Sequence, residues 1–201
     1  MAVNLSHRQR QAAATREAIA RAALRLFEDR GYVATTIQAI SERAGIPAQT
    51  IYSALGSKPA ILEEIRRRWI AEARVEELYA QALTKSEPAE RLRLAARWTR
   101  RQMELGYGVI TVYQEAARAD PRARGRWSDA LAGREVAVRN LLTSVQDSLR
   151  PGLDVQRALD LYVVATLPEI YGNLVLARAW SIDEYEAWLA ERLVADILGP
   201  S

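Results

Sequence analysis

The chain has 201 residues, of which 49% are apolar and 26% charged, a balance that excludes an intrinsically disordered tail. It contains no cysteine, which excludes disulfides and thiolate metal sites and gives no sign of an oxidising compartment. The net charge is only +3, yet the first 60 residues carry eight basic against four acidic side chains. A basic N-terminal part is typical of a nucleic-acid-binding module, although a solvated basic face explains the charge equally well.

The N-terminus, MAVNLSHRQRQAAATREA, has neither the apolar core nor the cleavage site of a secretory signal. No apolar run reaches the roughly 18 residues that would suggest a membrane-spanning helix. We therefore expect a cytoplasmic protein with no membrane partner. Arg8 and Arg10 in this segment form either a frayed basic tail or an arm that enters the DNA minor groove.

Two helices are predicted first. Apolar residues recur every three or four positions from Thr15 to Arg30, and Gly31 follows as a stop signal. Thr35 is then the predicted cap of a second helix, with Gln38 three residues later completing a capping box. This helix ends at Gly45.

The next stretch, AGIPAQTIYSALGSKPAIL at residues 44–62, predicts a third helix of about two turns. A helix this short is unstable alone in water. Its apolar residues Ile51 and Leu55 can pack on the two preceding helices, and its other face is small, uncharged and able to hydrogen-bond. The short GIP turn is typical of a helix-turn-helix pair, whose second helix is presented to a DNA groove.

Gly56, Ser57 and Pro59 then predict a stop and restart, with Ser57 capping a fourth helix. Lys58 lies at the start of that helix, where the helix dipole disfavours a positive charge. Its position suggests an anionic partner such as phosphate, and an exposed lysine without a role is the alternative.

These motifs resemble the DNA-binding domain of the tetracycline-repressor (TetR) family of bacterial transcriptional regulators. The matching pieces are ALRLFEDRGYVATTIQAI at residues 23–40, AGIPAQTIY and GSKPAIL, within a span of about residues 12 to 62. The segment TLPEIYGNLVLARAWSIDEYEAWLAERL, residues 166–193, also resembles the last helices of some members.

The resemblance implies specific DNA contacts. Phosphates would be contacted by Thr36, Tyr52 and Lys58. The side chains implied to face the major groove are those of Ala48, Gln49, Thr50 and Ser53. Gln49 is the best candidate for reading a base, because its amide can pair with adenine at N6 and N7.

Three departures from the usual family pattern bear on these contacts. Ala54-Leu55 stands where many members have histidine and phenylalanine, Ala48 where a basic residue is common, and Ser53 where an aromatic residue or histidine is common. They remove a charge and a ring from the groove-facing surface, and so affect the affinity and the operator sequence rather than the mode of binding.

Beyond residue 58 the pattern predicts about six more helices, so the fold class is all-α: a three-helix helix-turn-helix domain followed by a helical bundle. The predicted breaks lie near residues 84–88, 106–108, 120–121, 151–152 and 180–181. Pro168 is expected to kink the helix before last, and Ser181 with Glu184 predicts a capping box for the final helix. The predicted domains are residues 1–57 for DNA binding and 58–201 for effector binding and dimerisation.

Aromatic residues concentrate in the second predicted domain, where most of them can simply fill a helical core. The resemblance implies an effector pocket among these helices, and such sites are mostly apolar with a few polar groups. The hypothesised lining is Trp98, Met103, Tyr107, Tyr113 and Trp127. The implied effector is a small hydrophobic or aromatic molecule, bound without any cofactor or metal.

The last two helices resemble the family's dimer interface. The residues predicted at this interface are Leu159, Leu167, Leu174, Tyr185, Trp188 and Leu189. A twofold homodimer would place two recognition helices about 34–36 Å apart on a near-palindromic operator. The implied function is a ligand-responsive regulator, most simply a repressor released from its operator by the effector.

Two other classes remain open. An architectural DNA-binding protein without an effector would use the aromatic residues only as core. An enzyme has little support, because the single histidine is His7 in the N-terminal segment and no Ser-His-Asp set, zinc pattern or phosphate loop is present.

Overall fold

The computed structural model describes residues 6–198, and within this part of the chain it contains helices, turns and no strand. The predicted domains, 1–57 and 58–201, also include residues 1–5 and 199–201, which lie outside the described residues. A short 3₁₀ turn follows the seventh helix at Gln146–Ser148. The α-helices are α1 His7–Arg30, α2 Ile37–Ala44, α3 Ala48–Leu55, α4 Lys58–Glu72, α5 Val75–Thr84, α6 Pro88–Ala119, α7 Pro121–Thr143, α8 Val155–Ala165, α9 Pro168–Tyr171 and α10 Ile182–Ile197.

The chain forms two compact units. The first comprises residues 1–68 and 108–128, and the second comprises 69–107 and 129–201. Helices α4, α6 and α7 each contribute residues to both units. The predicted boundary at residue 57 divides the chain by function rather than by contact, and it stays a prediction.

Helix α1 begins eight residues earlier than the sequence pattern predicted. The Ser6 hydroxyl accepts a hydrogen bond from the Gln9 N–H, and the Gln9 side chain accepts one from the Ser6 N–H. This capping box pulls Arg8 and Arg10 into the first turns of the helix. These two residues are therefore helical rather than frayed, and their entry into a DNA minor groove stays a prediction.

The cap of α2 is Thr36 and not, as predicted, Thr35. The Thr36 hydroxyl accepts from the Ala39 N–H at 3.1 Å. Thr35 is buried, and its hydroxyl is within hydrogen-bond distance of the Leu26 and Gly31 carbonyls. The predicted box also lacks its second half, because the Gln38 amide donates forward to Glu42. Either of the two adjacent threonines could have capped the helix. Because Thr35 is buried against α1, Thr36 is the cap.

Helices α1, α2 and α3 pack on one another in the first unit. Ile19, Ala23 and Phe27 of α1 are buried there, together with Ile40 of α2 and Ile51 of α3. Gly45 ends α2 in a left-handed conformation, φ +64°, that strongly favours glycine. The Ser57 hydroxyl accepts from the Ala60 N–H, as predicted for the cap of α4. The predicted helix-turn-helix arrangement is confirmed.

In the second unit, the predicted break near residue 106 is a kink within one long helix. Gly106 leaves helical geometry, with φ −143° and ψ 16°, while α6 continues on both sides. The Trp69 indole lies against Gly106 and donates its Nε1–H to the Gln102 carbonyl at 2.9 Å. A side chain at position 106 would collide with this indole. Glycine is therefore required here for a close approach.

The C-terminal helices follow the predicted stop signals with one difference. Leu167 is extended, so α8 and α9 are separate helices rather than one helix kinked at Pro168. Helix α9 continues directly into a π-helix at Gly172–Ala177. Both hydrogen bonds of the predicted capping box between Ser181 and Glu184 are present at the start of α10.

The stretch Val155–Ala177 is long and apolar enough to cross a membrane by length and composition alone. The break at Leu167 interrupts its helix. Only 28% of the most apolar part of this stretch is buried. In a single chain, many of its apolar side chains therefore contact solvent.

Candidate nucleic-acid interface and effector region

Helix α3 carries the predicted groove-facing residues. Gln49, Thr50 and Ser53 are exposed, and Ala48 is half-buried. Ile51, on the opposite side, is 1% exposed and anchors α3 in the core of the unit. The Ser53 hydroxyl donates to the Gln49 carbonyl at 2.9 Å. The helix thus presents an uncharged polar face that is able to hydrogen-bond with base edges.

Two of the three predicted phosphate contacts are exposed. Tyr52 on α3 is 52% exposed, an unusually open position for a tyrosine in a small domain. Thr36 is exposed at the start of α2, where the N-terminal N–H groups and helix dipole favour an anion. Both positions are open to the DNA contacts predicted for them, and these contacts remain predictions.

The third, Lys58, is half-buried with internal partners. Its ammonium donates to the carbonyls of Tyr32 at 2.7 Å and Thr35 at 3.0 Å, and it also approaches that of Val33. It lies 4.3 Å from the centre of the Tyr32 ring. Burial lowers its pKa, opposed by the nearby Asp120 and Glu115 carboxylates. The structure thus gives this ammonium a role inside the unit, and its phosphate contact is untested.

Two carboxylates of the first unit hold the turn between α1 and α2. Glu115 of α6 accepts hydrogen bonds from the N–H groups of Tyr32 and Val33 at 3.0 and 3.3 Å. Asp120 accepts one from the Tyr32 hydroxyl at 3.1 Å. Burial acts to raise the pKa of Asp120, but N–H groups at the start of α7 hydrogen-bond to its carboxylate and the pKa is lowered. The α1–α2 turn is therefore fixed by residues distant in sequence.

The charged residues of α4 pair within the first unit. Glu64 is 6% exposed and binds Arg67 and Arg68 at 2.8 Å each. Arg68 also reaches α1, where it binds Glu17 and the Ala13 carbonyl. This network ties α4 to α1.

Glu63 forms a second pairing on α4. It binds Arg66 at 2.7 Å and accepts from the Tyr113 hydroxyl at 3.0 Å. Burial acts to raise the pKa of Glu63, but the hydrogen bonds from Arg66 and Tyr113 outweigh it and the pKa is lowered. Burial and the negative charge of Glu63 raise the pKa of Tyr113.

The five residues predicted to line the effector pocket fall in both compact units. Trp98 and Met103 are buried in the second unit, where Tyr107 is half-buried with its ring 5.7 Å from that of Tyr171. Tyr113 and Trp127 belong to the first unit, with their rings stacked at 4.8 Å. The assignment of these five to one pocket stays a prediction.

A buried polar cluster in the second unit was not predicted from the sequence. The Trp98 indole donates to the Tyr162 hydroxyl at 3.1 Å, and Thr99 hydrogen-bonds to the same hydroxyl. Tyr185 is fully buried, and its hydroxyl has no hydrogen-bond partner among the described residues. A buried hydroxyl left without a partner costs about 1–3 kcal/mol. This unit therefore contains a polar group that a bound molecule could satisfy.

The residues predicted at the dimer interface differ in exposure. Leu159, Tyr185 and Leu189 are buried within the chain, whereas Leu174 and Trp188 are half-buried and Leu167 is 40% exposed. Two apolar residues not predicted, Val164 and Leu176, are 59% and 60% exposed. Val164, Leu167 and Leu176 are therefore the large apolar side chains exposed within residues 155–177.

Sequence reasoning missed Glu115, Asp120 and the Tyr162 cluster. The hydrogen bonds of Glu115 and Asp120 to Tyr32 join residues 83 and 88 positions apart. No local pattern signals such a pairing. Among residues 6–198, no group of three or more histidine or acidic side chains could hold a metal ion.

Comparisons with known proteins agree with this architecture. Residues 19–65 match the model of the family described as "Bacterial regulatory proteins, tetR family". No curated protein matches the chain in sequence. The fold is similar to that of the TetR family transcriptional regulator PfmR from Thermus thermophilus, with 21% identity over 91% of this chain and 98% of that one and a TM-score of 0.62.

Two similar structures contain a small molecule. The transcriptional regulator FadR from Bacillus subtilis, in complex with stearoyl-CoA, has a TM-score of 0.72 and 20% identity over 90% of this chain and 98% of that one. The SmeT–triclosan complex has a TM-score of 0.75 and 18% identity, covering 92% of each chain. Residues 19–65 thus match the DNA-binding domain of the TetR family, and the described chain shares the all-α fold of these regulators.

Proposed function

We propose that the protein is a homodimeric repressor that binds a near-palindromic operator and is released by a small hydrophobic or aromatic effector. It acts in the cytoplasm, where its DNA lies, and performs no catalysis. The observation that carries the DNA-binding part is the face of α3: Gln49, Thr50, Tyr52 and Ser53 are exposed on a helix anchored by Ile51. An uncharged, hydrogen-bonding helix of this kind suits direct reading of base edges in a major groove.

The test of DNA binding is fluorescence anisotropy with DNA from the protein's own promoter region, beside random DNA of equal length. The wild type should prefer the promoter DNA, with an affinity that falls as salt rises, because phosphate contacts release counterions. Tyr52→Ala should bind about tenfold more weakly without losing stability, since its side chain is exposed. Val33→Ala is the matched control, because Val33 is an exposed apolar residue outside α3. Equal binding by wild type and Tyr52→Ala would contradict the proposal.

The proposed dimer rests on the exposed apolar side chains of Val164, Leu167 and Leu176. All three lie in a stretch that is apolar enough to resemble a membrane span and that is mostly unburied within one chain, which suits an interaction site. A second copy of the chain can cover it symmetrically. Burial of these side chains at a dimer interface would stabilise the dimer by about 25 cal/mol per Å² of apolar surface removed from water.

Sedimentation velocity at micromolar concentration tests the dimer. The wild type should sediment as a dimer, and Leu176→Arg should shift to the monomer because an unpaired charge cannot be buried at the interface. Leu131→Arg is the control, since Leu131 is 40% exposed on α7 outside this stretch. A wild type that remains monomeric would contradict the dimeric arrangement.

The effector is proposed to bind in the second unit near the Trp98, Tyr162 and Tyr185 cluster. Aromatic rings supply the apolar lining, and the unpartnered Tyr185 hydroxyl supplies a polar group that a ligand can satisfy. Proteins of similar fold bind molecules as different as stearoyl-CoA and triclosan, so the fold alone does not specify the effector. The proposed hydrophobic or aromatic effector is inferred from the aromatic residues of this chain.

Tyr185→Phe separates this proposal from a purely structural role for Tyr185. Because its hydroxyl has no partner, the variant should fold with equal or greater stability. Its release from operator DNA by an effector found in a ligand screen should be weakened. An unchanged response would remove Tyr185 from the site. Operator binding that no ligand alters would favour an architectural DNA-binding protein instead.

A further inference from the structure

A polar cleft lies between α5 and α6 within the second unit. Its volume is about 160 Å³, well below the roughly 300–1,000 Å³ of sites for drug-sized ligands. The cleft therefore suits a small ion or a single chemical group. Its lining residues are Arg74, Glu77, Leu78, Gln81, Arg97 and Arg101.

The charges of this cleft do not balance. Three guanidinium groups face one carboxylate, that of Glu77. Arg74 holds both oxygens of Glu77 through paired hydrogen bonds, and these bonds lower the pKa of Glu77. The one carboxylate is thus ionised and already bound. Arg101 also attracts the Glu77 carboxylate, whereas Arg97 has no carboxylate partner among the lining residues.

Arg101 is held in a fixed position. Its Nε donates to the Ala73 carbonyl at 3.0 Å and its Nη2 to the Glu72 carbonyl at 3.3 Å, at the end of α4. These carbonyls at the C-terminal end of α4 orient the guanidinium and offset only part of its positive charge. A guanidinium held in this way is preorganised for an anion, since little rotational freedom is left to lose on binding.

Arg97 lies one turn before Arg101 on α6. It is exposed, and no hydrogen bond or ion pair joins it to another described residue. Like charges four residues apart on a helix repel each other. An anion between the two side chains would turn this repulsion into a pair of attractive contacts.

The backbone beside the cleft is strained. Arg74 adopts a left-handed conformation, φ +55° and ψ 37°, which is unfavourable for a residue other than glycine. Such residues cluster at ligand-binding sites, where the surrounding structure maintains the strain. Here the conformation places Arg74 immediately before α5, where its side chain holds Glu77.

We propose that this cleft binds a phosphate dianion between Arg97 and Arg101, either as the free ion or as the terminal group of a small phosphate ester. Guanidinium groups bind phosphate through paired, charge-assisted hydrogen bonds, and the excess of positive charge in the lining, three arginines against one glutamate, matches a dianion. The site is separate from the α3 surface, and neither DNA binding nor effector release is needed to detect it.

Isothermal titration calorimetry of the full chain without DNA tests the proposal. Inorganic phosphate, phenyl phosphate and acetate are titrated separately at pH 7.5, with total ionic strength held constant by sodium chloride. Saturable binding of one phosphate per chain is expected, and Arg97→Gln should weaken it by about tenfold or more. Arg93→Gln is the matched control, because Arg93 is an exposed arginine on the same helix outside the cleft. It should bind as the wild type does.

Tighter binding of phenyl phosphate than of inorganic phosphate would support a phosphate ester, and the reverse order would support the free ion. Three results would overturn the proposal: no saturable binding of either phosphate, equal binding by Arg97→Gln and Arg93→Gln, or acetate binding as tightly as phosphate. Because the titration contains no DNA, each of these failures leaves the proposed operator binding untouched.

Discussion

Helices α3 and α4 are neighbours in sequence but use their polar side chains in opposite ways. Helix α3 has no charged residue, and its polar side chains point into solvent. Helix α4 is rich in charge, yet Lys58, Glu63 and Glu64 all have partners inside the first unit. The comparison shows that a charged helix in this unit can be engaged in internal contacts while an uncharged helix exposes its polar side chains. The charged side chains of α4 stabilise the unit, and the exposed face of α3 is the surface proposed to contact DNA.

The largest expected effect is on stability. Glu64→Ala should lower the free energy of unfolding by about 3 kcal/mol, because it removes a buried carboxylate and leaves Arg68 without its closest partner. Urea unfolding followed by circular dichroism at fixed protein concentration measures this change. Glu76→Ala, at an exposed position on α5, should change it by less than about 0.5 kcal/mol. Equal losses of unfolding free energy in Glu64→Ala and Glu76→Ala would contradict a stabilising role for the charged side chains of α4.

Lys58→Met should lower the free energy of unfolding by about 2 kcal/mol, because buried carbonyls lose their charged donor. The same variant sharpens the comparison when its DNA affinity is measured at several salt concentrations. If the Lys58 ammonium binds only internal carbonyls, the DNA affinity of Lys58→Met should depend on salt as that of the wild type does. A slope of log affinity against log salt that falls by about 0.9, with stability unchanged, would instead assign Lys58 to a DNA phosphate.

Gln49→Ala should act on DNA recognition alone. Loss of a paired contact to a base should weaken binding to the preferred DNA by about 1–2 kcal/mol and leave random DNA and protein stability unaffected. Fluorescence anisotropy and urea unfolding check the two halves of this prediction. Gln38→Ala, an exposed glutamine on α2, is the control. Equal weakening on both DNAs would show that Gln49 contacts the backbone rather than a base.

The smallest effect concerns pH. Because the folded-state pKa of Glu63 lies below its ordinary value, its ionised form stabilises the fold above about pH 4.3, and this contribution is lost as pH falls further. Glu63→Gln should therefore show a shallower loss of stability in acid, measured by unfolding at a series of pH values. Tyr113→Phe, which removes one donor to Glu63, should shift the profile in the same direction by less. A steeper acid loss in Glu63→Gln would contradict this account.

Sequence reasoning predicted the architecture of the N-terminal helices well and their ends less well. Apolar spacing and glycine stops located α1, α2 and α3, since these signals act between residues three or four positions apart. It missed the first eight residues of α1, where the stripe is weak and the Ser6–Gln9 cap decides. It chose Thr35 over Thr36, because local chemistry cannot distinguish two adjacent hydroxyl groups when tertiary burial selects one of them.

For the candidate sites too, the sequence predicted the features that depend on local geometry and not those that depend on the tertiary structure. Exposure of Gln49, Tyr52 and Thr36 followed from a short motif whose geometry is local. The aromatic residues of the second predicted domain were visible in the sequence, but their distribution between two compact units was not.

The sequence by itself determined the all-α class, the helix-turn-helix and the resemblance to the TetR family, because helix periodicity, caps and turns are encoded within a few residues. Only the tertiary structure decided that Glu115 and Asp120 hold the α1–α2 turn, that Trp69 packs at the Gly106 kink, and that Arg74 shares one cleft with two arginines of α6. These contacts join positions tens of residues apart, and folding of the chain brings them together.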